Sequence, residues 1–151
     1  AKAFAMSDAL GDRDARRTME LLDQELWSVK NDSSKSEIGL LYGLIYKIRA
    51  MILAKALVGS GLLRAGGRYP EFQKALKSVA REKMPSDKRF DPTSISPFVL
   101  YRAVAQCGRY QESELIEAMR ILLDTNRRMV SSGQDPGGAL RQAVLCILDR
   151  S

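Results

Sequence analysis

Apolar residues recur along this chain three and four positions apart, and no stretch alternates, so the pattern predicts helices and no strand. Seven helices are expected. The first runs from about Lys2 to Leu10 and stops at Gly11. Asp12 or Asp14 starts the second, with Ala15, Met19, Leu22 and Leu26 on one side and Trp27 near its end. A polar loop (30–36) leads to Ser36 and Glu37, which open a long third helix. Its stripe of Ile38, Leu41, Ile45, Ile48 and Ile52 lies beside a second of Leu40, Leu44 and Met51, a face wide enough for the domain centre. Glycines break the chain in VGSGLLRAGGRYP, and a fourth, basic helix follows from Pro70 to about Lys83, with Phe72, Leu76 and Val79 on its docking side.

The connection MPSDKRFDPTSISP (84–97) is rich in Pro, Ser and Asp, which marks it as exposed. Ser96 and Pro97 then give a cap-and-proline start to the fifth helix, in SPFVLYRAVAQCGRY, which is apolar on nearly every side and predicts a buried packing element. The sixth runs from about Gln111 or Ser113 to Ser132, with Leu115, Met119, Leu122, Met129 and Val130 turned inward. Asp135 and Pro136 open the seventh, striped by Leu140, Ala143, Val144, Ile147 and Leu148. The expected fold is an all-α compact bundle in one domain, 1–151, with Phe98, Leu115, Leu122, Leu140 and Val144 in its core.

Composition narrows the setting. At 151 residues and 45% hydrophobic content one core is affordable within one domain, and aromatics are only 7%. Two cysteines, Cys107 and Cys146, sit in apolar helical patterns with neither disulfide nor zinc spacing, which fits a reducing, cytoplasmic setting. The most apolar stretch (38–59) carries Lys47, Arg49 and Lys55, charges that a bilayer centre penalises, so it reads as a buried helix. The opening AKAFAM lacks an initiator Met and enters a helical pattern at once, as expected of a fragment of a larger subunit.

The net charge of +6 is concentrated in one place. Residues 46–90 hold eleven Lys and Arg against Glu71, Glu82 and Asp87, a local balance of +8, and the remainder is −2. Lys74, Lys77 and Arg81 share a helix face, and Lys88 and Arg89 follow closely. These five are the candidate contacts to nucleic acid, since such a row can neutralise phosphates. No aromatic or amide series accompanies them to read bases, and a solvated helix face beside a loop is the plainer reading.

Chemistry is otherwise sparse. Histidine is absent, which removes the commonest general base and metal ligand. Asp8, Asp12 and Asp14 read as a solvated helix end and cap rather than a metal site. GSGLLRAGG follows a helix and lacks the Gly-Lys-Ser/Thr of a phosphate loop, so it reads as a joint. The chain is expected to be non-catalytic, with no cofactor, metal or small-molecule substrate.

The C-terminal third, SPFVLYRAVAQCGRYQESELIEAMRILLDTNRRMVSSGQDPGGALRQAVLCIL, resembles the end of the δ subunit of the bacterial DNA polymerase III clamp loader. The resemblance rests on the Pro97-Phe98 helix start, the turn Gly108-Arg109-Tyr110, and the Leu115, Ala118, Leu122 core. It continues through the link Ser132, Gly133, Asp135, Pro136. The opening matches at Phe4, Asp8, Ala9 and Leu10, and the third helix, ending Ile52 to Leu57, matches the family's central helix. The acidic residue and lysine that the family often carries before the link are missing from Asn126 to Ser131, and the basic helix and loop at about 63–95 lengthen a usually short connection.

The resemblance implies the third, collar-forming domain of a subunit whose AAA+ type module and lid lie elsewhere. The parent would be an accessory subunit of a DNA-directed DNA polymerase holoenzyme, acting in DNA replication. The implied partners are the γ/τ and δ′ type loader subunits, through packing of the sixth and seventh helices. The alternative from another class is a basic helical module that binds DNA or RNA through residues 64–89.

Overall fold

A computed structural model of the chain describes residues 2–82, 94–131 and 135–150, with the backbone alone at Lys2, Ala3 and 80–82. Among these residues there are seven α-helices and no strand: α1 (Lys2–Gly11), α2 (Ala15–Asn31), α3 (Glu37–Gly59), α4 (Tyr69–Glu82), α5 (Pro97–Gln106), α6 (Glu112–Ser131) and α7 (Pro136–Leu148). A 3-10 turn, Cys107–Arg109, extends α5. The fold is all-α, as the periodicity predicts.

The start signals act as capping chemistry requires. Asp14 accepts a hydrogen bond from the Arg17 amide at 3.1 Å, Ser36 from Gly39 at 3.0 Å, and Asp135 from Gly137 at 3.2 Å, each satisfying an amide that the first turn leaves without an internal partner. Ser96 differs: its hydroxyl makes no cap bond, and Pro97 in the first turn supplies the start. The Ser96 amide instead donates to the Tyr46 hydroxyl at 2.7 Å, tying the entry of α5 to α3.

Helix α3 is the axis of the bundle. Leu41, Leu44, Ile48 and Met51 are wholly buried, and α1, α2, α5, α6 and α7 all pack against it. Burial of such side chains contributes roughly 1.5–3 kcal/mol each, which gives this helix the largest share of the apolar driving force. Buried residues of all seven helices join one core. Leu115, Leu122, Leu140 and Val144 lie in it with no exposed surface.

Phe98 does not. It is 44% exposed, because the first turn of α5 directs it toward Phe4 (ring centroids 6.1 Å) and Tyr69 (5.4 Å) at the domain edge. Helix α5 therefore has a solvent edge, formed by Pro97, Phe98 and Ala105; Leu100, Ala103 and Val104 are its buried apolar residues, with Val99 and Tyr101 partly buried beside them. Val130 is likewise turned outward at 72% exposure, being placed one step around α6 from the half-buried Met129.

The basic insertion is anchored at both ends, by Leu63 (3% exposed) and Ile95 (1%). Between them Gly66 and Gly67 take positive φ of 86° and 85°, which only glycine adopts freely, and turn the chain into α4. Phe72, Leu76 and Val79 bury the inner side of α4, chiefly against α5. No helix among the described residues is long and apolar enough to cross a membrane.

Candidate interaction surface

Among the described residues, three places gather several polar or exposed apolar side chains together. The first is a polar cluster between α1, α3 and α5. Asp8 accepts from Arg102 Nε at 3.1 Å and Nη2 at 3.0 Å, and from the Gln106 amide at 3.0 Å, while Lys47 Nζ stands 3.7 Å away. Gln106 also donates to Asp12 at 2.9 Å. Asp8 and Asp12 thus turn toward the protein instead of forming a solvated helix end, and of the three aspartates Asp14 serves as the cap.

Electrostatics follow from this geometry. Burial opposes ionisation of Asp8, but the hydrogen bonds and charges of Arg102, Lys47 and Gln106 outweigh it and hold the carboxyl below its usual range. Burial lowers Lys47 to about 8 despite Asp8 beside it. A cavity of about 160 Å³ is lined by this pair together with Phe4, Ser7, Gly43, Tyr46 and Val99. The amine is buried without a hydrogen-bond partner, and Asp8 is bonded to Arg102 and Gln106. The cluster locks three helices together. Among the described residues no group of His, Cys, Asp and Glu could hold a metal ion. Cys107 is buried with its thiol pushed up by desolvation, and donates weakly to Val104 O.

The second place is α4 with its neighbouring rings. Lys74 and Lys77 are exposed on the outer side of the helix, opposite Phe72, Leu76 and Val79. Arg81 belongs to the last turn of α4, and Lys88 and Arg89 lie outside the described residues. The structure thus brings together two of the five candidate contacts. It adds what the sequence did not display: Tyr69 at the start of α4 meets Phe98 and Tyr101 (5.3 Å), and the chain of rings reaches Phe4, which is 42% exposed. Tyr69 adjoins the basic row in sequence, but Phe4, Phe98 and Tyr101 are distant from it, so linear proximity could not reveal the ring chain.

The third place is the outer flank of α6. Leu115, Ala118, Leu122 and Thr125 are buried, yet Ile116 is 54% exposed, Leu123 52% and Val130 72%. These three are seven residues apart, and at 3.6 residues per turn they form one line along the helix. The line borders the buried face, so the apolar arc of α6 is wider than its own domain covers. Beyond it run ion-paired residues, Arg120 with Glu117 and both Arg127 and Arg128 with Asp124. On α7, Leu145 is a further exposed apolar side chain at 47%. Ile116 and Leu123 escaped the sequence reading because the inner stripe accounted for the helix; their seven-residue spacing was the available signal.

Comparison with protein-family models, curated proteins and solved structures finds no match for the chain.

Proposed function

We propose that the chain is the collar domain of a δ-type clamp-loader subunit, which serves DNA replication in the cytoplasm by assembling with γ/τ and δ′ type subunits. The reading comes from the sequence resemblance, and one structural observation supports it. Ile116, Leu123 and Val130 leave a line of apolar side chains on α6 in water, although Leu115 and Leu122 of the same helix are fully buried. Such an uncovered line on a helix is suited to packing against a neighbour, and a stable interface needs about 800 Å² per partner with an apolar centre. The contribution is contact alone, with no bond made or broken.

Mixing the chain with the collar domains of γ/τ and δ′ subunits at micromolar concentration and measuring native masses tests the proposal. A complex that Leu123→Asp dissolves is expected; no complex, or one indifferent to that substitution, overturns it.

The exposed rings favour a second reading, direct binding of nucleic acid. Phe4 and Phe98 offer faces for base stacking beside the helix that carries Lys74 and Lys77, and stacking with phosphate neutralisation is how single strands are held without sequence readout. Titration with single-stranded DNA at two salt concentrations separates the two. Steeply salt-dependent binding lost in Lys74→Glu/Lys77→Glu would support this module, and salt-independent weak binding would exclude it.

A further inference from the structure

A recess of about 270 Å³ lies on the exposed flank of α6, lined by Arg120, Leu123, Asp124 and Arg127. These four positions have the spacing i, i+3, i+4, i+7, which is that of the four residues forming a hole for one knob of a facing helix in knobs-into-holes packing. One corner, Leu123, is apolar and lies on the line of Ile116 and Val130, so a row of contacts can continue in both directions along the helix. The other corners are charged. Arg120 and Arg127 form the row nearest the apolar line, and Glu117 and Asp124 stand farther round the helix.

We propose that this flank receives one helix of a different protein, whose apolar seam lies along Ile116, Leu123 and Val130 and whose carboxylates meet Arg120 and Arg127. The inference rests on the assembly reading and adds the chemistry of the partner. Among the described residues, Arg120 and Arg127 are bonded to carboxylates of their own helix alone, three residues away, in exposed pairs. Such pairs hold weakly, so a carboxylate delivered by a docked helix can compete for each guanidinium. A second copy of this chain is a poor occupant. Antiparallel pairing about a twofold axis sets the arginine row of one copy against that of the other, because an isologous contact uses the same patch twice. Parallel pairing sets it against the half-buried row of Met119 and Asn126, which offers no carboxylate.

The test uses the 151-residue chain and two fluorescent helical peptides of about three heptads. Both carry the same leucine seam, one edged with Glu and the other with Lys. The Glu-edged peptide is expected to bind at least about tenfold tighter at low salt, in keeping with charge complementarity across interfaces. Arg120→Glu/Arg127→Glu should invert the preference, and Leu123→Asp should weaken both peptides about tenfold or more, the loss expected when an apolar anchor is removed. Circular dichroism should show both variants still folded at the assay temperature, with melts lowered modestly where the i,i+3 ion pairs become like-charge pairs.

Equal affinity of the two peptides, or no saturable binding of the Glu-edged one, overturns the proposal. So does a dimer of the chain, seen by sedimentation, that Leu123→Asp dissolves. If γ/τ and δ′ complexes form without any peptide preference, this inference alone fails. If the preference holds and those complexes do not form, the collar reading alone fails.

Discussion

Arg13 and Glu114, 101 positions apart in sequence, meet in a two-pronged ion pair, with Nη1 3.0 Å from Oε1 and Nη2 2.6 Å from Oε2. The same guanidinium donates to the carbonyls of Arg109 and Asp149, each at 3.0 Å, and lies 4.4 Å above the Tyr110 ring. One side chain thereby ties the α1–α2 corner to the start of α6 and the end of α7. Arg13 occupies the left-handed region at φ 57°, a conformation that a side chain like this rarely adopts, and the five contacts offset that cost.

Glu114→Gln should therefore destabilise the fold by about 2 kcal/mol, the scale of hydrogen bonds to a charged group. That is less than for a fully buried pair, since a third of the carboxylate side chain remains in water. Hydrogen bonds from Arg13 and from the Gln111 amide hold Glu114 at about 2, below its ordinary 4.5. The unfolded chain binds the proton more readily, so this stabilisation is complete above about pH 4.5 and is lost as pH falls toward 2. Urea titrations across that range should show a shallower acid slope for Glu114→Gln than for the parent. Equal slopes would mean that other carboxylates dominate.

At Lys47 the lowered value has another cause, because burial there disfavours the charged form. With its native value near 8 and an ordinary one of 10.5, the unfolded chain holds more protons between those limits, so stability should rise as pH increases from 8. The amine faces Asp8 and Asp12 from the α1 side and Arg102 from α5. Above pH 10 Tyr110, raised to about 12 mainly by burial, works the other way, and the rise should level off there. Lys47→Met should flatten the 8–10 window. At pH 7 it should be as stable as the parent or more so, because Asp8 keeps Arg102 and Gln106. A loss above about 1 kcal/mol at pH 7 would show the charged amine to be needed, the scale of a net hydrogen bond.

The helices were legible because their apolar positions repeat with the helical period and their starts carry Ser36, Asp14 and Asp135, whose chemistry is local. Phe98 and Val130 were misplaced because periodicity tells which residues could be buried, and tertiary packing decides how far the buried arc extends. The polar cluster was invisible for another reason. Asp8, Lys47 and Gln106 are separated by tens of residues, and each alone resembles an ordinary surface residue. Their meeting depends on how α1, α3 and α5 cross. The same holds for the ring chain from Phe4 to Tyr101.

Adjacent leucines on α6 give a sharp contrast. Leu122 has no exposed surface and Leu123 is 52% exposed. Leu122→Ala should cost about 2–5 kcal/mol by opening a cavity in the core. Leu123→Ala should stay within about 0.5 kcal/mol, as surface substitutions do. Thermal melts of the two variants decide this. Equal losses would mean that the α6 flank is covered within the chain itself.

Gly11 sets helix propensity against sterics. Alanine is favoured over glycine in a helix interior by about 1 kcal/mol, so propensity alone favours Gly11→Ala at the end of α1. A β-carbon there would overlap Gln106 Oε1 and lie 2.6 Å from Lys47 Cε. Gln106 cannot withdraw cheaply, since its amide nitrogen donates to the Asp8 carbonyl and to the carboxylates of Asp8 and Asp12. Overpacking of this kind costs about 1–3 kcal/mol, which exceeds the propensity gain, so Gly11→Ala should be net destabilising. In a Gln106→Ala background the cost should fall by more than half, a coupling that a double-mutant cycle measures directly. Additive losses would place the cause at the backbone of Gly11 rather than in its contact with Gln106.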